Sequence, residues 1–173
     1  MPTPTASHAG LWLADSDDDR DHALRWWTNT GTAVMPAGRA WDAVGLPEGL
    51  GRQAVKALPN GPAIHYPEHE HIVILVPPGT AATWDADEAG YACLGDGFHV
   101  NVPEPSRTSS PGPYWLRSPG PCASFADSTA LLRLIATAHK AARFVASQTS
   151  AAAAHTPGSG AGRAGELKAG DSP

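Results

Sequence analysis

The chain has 173 residues, enough for one domain with a core and too few for two unless both are minimal. Apolar residues make up 42%, much of it alanine, and 18 glycines and 17 prolines confine a dense interior to part of the chain. The formal charge of −5 is concentrated in the five aspartates of residues 14–21, so no broad basic face exists for tight, sequence-independent DNA binding, and no apolar run approaches the roughly 20 residues of a membrane span.

Residues 1–10 read as a disordered start, 11–145 as the folded domain, and 146–173 as a disordered Ala/Gly/Ser-rich tail without the apolar periodicity that offsets the entropy of ordering. "DRDHALRWW" predicts a short helix to Thr28, with aspartates at its start and Ala23, Leu24 and Trp27 on one face. "GTAVMPAG" and "RAWDAVGLP" predict two short strands joined by a Gly turn. "PEGLGRQAVKALPNG" predicts a helix, opened by Pro-Glu, carrying Leu50, Val55 and Leu58, and stopped by Pro-Asn-Gly.

"AIHY" and "HIVILVPP" predict strands, the second so uniformly apolar that it belongs inside a sheet with both faces covered. "ACLGDGFHVNVPEP" reads as a hairpin closed by Gly-Asp-Gly, and "PYWLRSPG" as a last short strand. "DSTALLRLIATAHKAARFVA" is an amphipathic helix capped by Asp127 or Ser128. The interleaving of hairpins and helices predicts an α+β fold, a mixed central sheet with flanking helices. Cys93 and Cys122 have neither a C-x-x-C spacing nor a secretory leader, which predicts a reduced, cytoplasmic chain; whether they pair is open.

The histidines of "HYPEHEH" before the apolar run raise the question of chemistry. His69 and His71, two apart, would share one face of a strand, a geometry that a metal ion can use. Further ligands would have to come from His65, Glu68, His99 or Cys93, none at a recognisable spacing, so no metal is expected; a solvated strand end explains the same residues. The six tryptophans are irregularly spaced, as core and rim residues are, rather than as a stacking platform. Gly95 and Gly97 flank Asp96 as a tight turn that could also cradle phosphate, and the aspartate run reads as a solvated helix lead-in.

A third reading rests on "HIVILVPP", the later "ACLGDGFHVNVPEPS" and "GPYWL", together with "LRWWTNTGTAVMPAGRAWDAVGLPEGLGRQAVKAL". Over residues 20–135 this series resembles the N-terminal domain of bifunctional DNA primase/polymerases, of the archaeo-eukaryotic primase type, and the resemblance implies a primase/polymerase-like fold. It puts the family's phosphate-contacting histidine on His71; Gly95 and Asp96, in the glycine turn, are the further candidate nucleotide contacts. Its first acidic pair falls on Gly45 and Pro47, its third acidic residue on Ala92, and the arginine of its hairpin on Leu94.

Nucleotidyl transfer needs divalent ions held by carboxylate oxygens, and glycine, proline and alanine offer none. The resemblance therefore implies a non-catalytic domain linked to DNA replication that binds a nucleotide, weakly a single-stranded or template DNA, or a replication protein. No cofactor is expected; magnesium and catalysis would enter only if Asp42, Asp96, Glu68 or Glu70 rebuilt an acidic site. The rival reading is an interaction scaffold without a ligand.

Overall fold

The computed structural model describes residues 7–154. Residues 7–140 belong to one compact unit, and a second unit begins at Ala141. The chain runs α1 (His8–Ala14), α2 (Arg20–Thr30), β1 (Thr32–Pro36), β2 (Asp42–Pro47), α3 (Glu48–Ala57), β3 (Ala63–Tyr66), β4 (His71–Val76), α4 (Ala86–Ala89), β5 (Cys93–Leu94), β6 (His99–Pro103), β7 (Tyr114–Arg117) and α5 (Ser128–Ala154). The fold is α+β, and both of its sheets are antiparallel.

The larger sheet has the order β5-β2-β4-β3-β7, so the apolar strand "HIVILV" lies at its centre. Side chains alternate along a strand, and both faces of this one are covered. Ile72, Ile74 and Val76 join Val44 and Leu46 against Ala54 and Leu58 at α3 and Leu131 and Ile135 of α5. Val73 and Leu75 turn the other way, into a core with Leu13, Trp27, Met35, Trp41, Val102 and Trp115. Each fully buried large side chain contributes about 1.5–3 kcal/mol, so this strand anchors both cores. Helix α3 approaches β4 so closely that a Cβ at Gly51 would stand 2.6 Å from the Ile72 Cβ.

Two strand pairings differ from expectation. β5 pairs with β2, whereas β6 pairs with β1 in a separate two-stranded ribbon, so Gly95-Asp96-Gly97 carries the chain between sheets rather than closing a hairpin. β1 and β2 likewise fall in different sheets. Turn chemistry specifies a change of direction, while partner choice depends on which buried faces meet.

The ends differ too. Residues 8–10, expected to be disordered, lie in α1, where the Ser7 hydroxyl accepts from the Gly10 N–H and Leu13 is fully buried. Helix α5 continues through 146–154, within the expected tail, because alanine favours helix without needing a core. The rest of both expected disordered segments, residues 1–6 and 155–173, lies outside the described residues. Asp127 caps α5 through the Ala130 N–H.

The aspartate run forms the turn between α1 and α2. Asp19 caps α2 at the His22 N–H, and Asp15, Asp17, Asp18 and Asp19 pair with Arg20, His22, Arg39 and Arg25. Such exposed pairs are worth little individually, so the run fixes a local turn more than it stabilises the whole. Trp27, Trp41 and Trp115 are buried, each indole N–H donating to a backbone carbonyl, in keeping with the core reading.

Candidate functional site

Strand β4 begins at His71, opposite Pro47 of β2 and Tyr66 of β3. Paired residues of an antiparallel ladder share a face, so Gly45, Pro47, His71 and Tyr66 project to the same side. The His71 ring fills the space over the glycine: a Cβ built on Gly45 would lie 2.7 Å from Nε2. The β2–β5 ladder ends at Val44 and Cys93, so Ala92 lies one residue beyond the last pair. Gly45, Pro47 and His71, which the sequence associates only through a resemblance, thus neighbour one another at one end of the sheet, with Ala92 just beyond β5.

None of these three small residues carries a side-chain oxygen, so the residues present do not fit the divalent-ion seat that the resemblance implies. Among the described residues there is no group of three His, Cys, Asp or Glu side chains able to hold a metal ion. His69 and His71 do not share a strand face as expected. His69 ends a 3-10 turn, Pro67–His69, and Glu70 then takes a left-handed conformation, φ 49°, which breaks the alternation before β4 starts. Burial, and then the proximity of His69, holds the His71 imidazole below its ordinary pKa, so it is neutral at pH 7 rather than a cation waiting for phosphate.

Beside this end of β4, Tyr66, Pro67, Glu68, His69, Asn101, Gly112 and Pro113 line a cavity of about 220 Å³. The Tyr66 hydroxyl donates to the Asn101 carbonyl at 2.6 Å, tying β3 to β6, and burial pushes its pKa well up. Its wall is mostly apolar surface, from Tyr66, Pro67 and Pro113 among others, with Glu68, His69 and Asn101 as the polar groups, and neither Trp nor Leu lines it.

Gly95 and Asp96 are not part of this cluster. Gly95 packs against Ala81 and the Asp42 carboxylate, with a built Cβ 2.6 Å from the Ala81 Cβ, and the Asp96 backbone packs on Gly38. Asp42 opens β2 while Pro47 closes it beside His71; five steps along the strand separate them by about 17 Å. The three expected nucleotide contacts are therefore split between opposite ends of β2. Asp42 is itself buried; its Oδ2 accepts from the Ala81 N–H at 2.7 Å, and its Oδ1 has no hydrogen-bond partner among the described residues. Burial, and then this carboxylate, pushes the Cys93 thiol up to about 12. Cys93 and Cys122 are both free.

A second cluster lies at the His71 end but on the α3 face, because β3 sends His65 opposite to Tyr66. His65 is buried; its Nδ1 meets the Tyr114 hydroxyl at 2.8 Å, and Glu48 Oε2 stands 3.3 Å from Nε2, within ion-pair distance but out of line for a hydrogen bond. Arg52 binds the other Glu48 oxygen at 2.6 Å and faces the Tyr114 hydroxyl. Arg52, and then His65, hold the Glu48 carboxyl below the usual range. Sequence reading missed this set: Glu48, His65 and Tyr114 are far apart along the chain, and only the β3–β7 ladder sets His65 opposite Tyr114. Compared with protein-family models, curated proteins and solved structures, the chain matches none.

Proposed function

We propose that this chain is a primase/polymerase-like domain without the metal-holding carboxylates, which binds a nucleotide at the His71 end of its sheet and serves DNA replication without catalysing synthesis. The single observation that supports the reading is the adjacency of Gly45 and His71 on one face of β2 and β4, with the imidazole filling the space that a side chain at 45 would need. A neutral imidazole still donates one N–H and accepts at the other nitrogen, enough for a phosphate oxygen or a base edge. The cavity between Tyr66, His69 and Asn101 offers the adjoining space.

A second reading, an interaction scaffold, is favoured by the size of that cavity, below the roughly 300 Å³ where small-molecule sites begin, and by the Glu68 carboxylate in its wall, which repels phosphate. Calorimetric titration of the full chain with a deoxynucleoside triphosphate distinguishes the two. The nucleotide reading expects measurable binding that weakens at least tenfold in His71→Ala; no heat at millimolar nucleotide, or binding indifferent to the substitution, leaves the scaffold.

A further inference from the structure

The Glu48–His65–Tyr114 cluster is independent of the nucleotide reading and has the parts of a base-assisted nucleophile. A phenol is mostly protonated at neutral pH and becomes an effective nucleophile when an adjacent base takes its proton. Here the hydroxyl of Tyr114 lies 2.8 Å from His65 Nδ1, while the carboxylate of Glu48 lies on the Nε2 side at 3.3 Å. A carboxylate beside Nε2 favours the tautomer with the proton on that nitrogen, which leaves Nδ1 to accept from the phenol.

The base sits on β3, inside the sheet, and the phenol on the edge strand β7, in a directly opposed pair whose rings meet edge to face at 5.1 Å. Both groups are therefore held by rigid elements rather than by loops. The Arg52 guanidinium, half exposed and anchored on Glu48, has donors to spare for an anionic reaction partner.

We propose that Tyr114 is a covalent acceptor for a phosphoryl group delivered by a phosphoanhydride, with His65 as its base and Glu48 as the residue that positions His65. The phenolic oxygen attacks phosphorus, forming an O–P bond. The bridging P–O bond of the anhydride breaks, its electron pair leaves with the departing phosphate, and the phenolic proton passes to His65 Nδ1. Glu48 stabilises the imidazolium, and Arg52 faces the incoming negative charge.

The test uses the full chain with ATP labelled in separate reactions at the α and γ phosphorus, followed by denaturation and peptide mass spectrometry. The γ label is expected on Tyr114, absent in Tyr114→Phe, cut at least tenfold in His65→Gln and Glu48→Gln, and partly restored to His65→Ala by free imidazole. That rescue would not arise from a merely structural histidine. The α label on Tyr114 instead, a nucleotidyl adduct, overturns the phosphoryl assignment. Because a variant could fail to fold, an arylsulfonyl fluoride is applied to the unsubstituted chain as well: Tyr114 should react at least tenfold faster than the similarly half-buried Tyr91. Equal rates at the two tyrosines overturn the nucleophile, and reaction with the probe but with neither ATP label overturns the phosphoryl assignment.

Discussion

The His71 ring stands where a side chain on Gly45 would stand, Nε2 lying 2.7 Å from the position of a Cβ there, so the two positions cannot both carry side chains in this arrangement. The strand-opening ring is half-exposed and can swing aside. Gly45→Ala is therefore expected to cost less than about 1 kcal/mol while displacing the ring. Gly51→Ala thrusts its methyl group against the branched carbon of buried Ile72 and is expected to cost about 1–3 kcal/mol. Urea denaturation of both variants, with the His71 ring signals followed by NMR, checks the contrast; equal losses would count against the packing described.

Titration of His71 should report its surroundings. Burial, and then His69, favours the neutral ring, so the folded state takes up this proton at lower pH than the unfolded chain. Stability linked to His71 is thus fully present above about pH 6.5 and is lost as pH falls through that value toward the lowered one. The NMR midpoint of His71 is expected below about 6.5, and His69→Gln should raise it. A midpoint above the ordinary value would place an unseen anion beside the ring.

Asp42 and Cys93 should behave as a coupled pair. With its thiol pushed up to about 12, Cys93 should resist iodoacetamide at pH 8 while exposed Cys122 alkylates, and Asp42→Asn should speed Cys93 by removing the neighbouring charge. Asp42→Ala also strands the Ala81 N–H and is expected to cost about 1–3 kcal/mol. Mass spectrometry of the alkylated peptides and thermal unfolding measure these effects; early alkylation of Cys93 contradicts them.

Primer synthesis should be absent with magnesium or manganese. Gly45, Pro47 and Ala92 hold no ion, and Asp42, the carboxylate on the same strand, opens β2 at the end away from His71 with one oxygen committed to Ala81. Each carboxylate-held metal effect is worth several kcal/mol, so the loss is not a partial one. Incorporation of labelled nucleotide on a denaturing gel, abolished by Asp42→Ala or Asp96→Ala, would mean that an acidic site has been rebuilt elsewhere.

The sequence by itself determined what depends on neighbours along the chain. The unbroken run Ile72–Val76 specified a strand covered on both faces, and Pro47-Glu48 and Asp127 marked the helix starts at α3 and α5. What it could not carry were relations between distant segments. The Gly-Asp-Gly turn is compatible with a hairpin or with a passage between sheets, and only the partners of β5 and β6, β2 and β1, decided between them. The two-residue spacing puts His69 on the strand face of His71, and only the left-handed Glu70 breaks that period. The separation of Gly95 and Asp96 from His71, and the meeting of Glu48, His65 and Tyr114, follow from ladder register, which is fixed by burying two apolar faces at once rather than by any local motif.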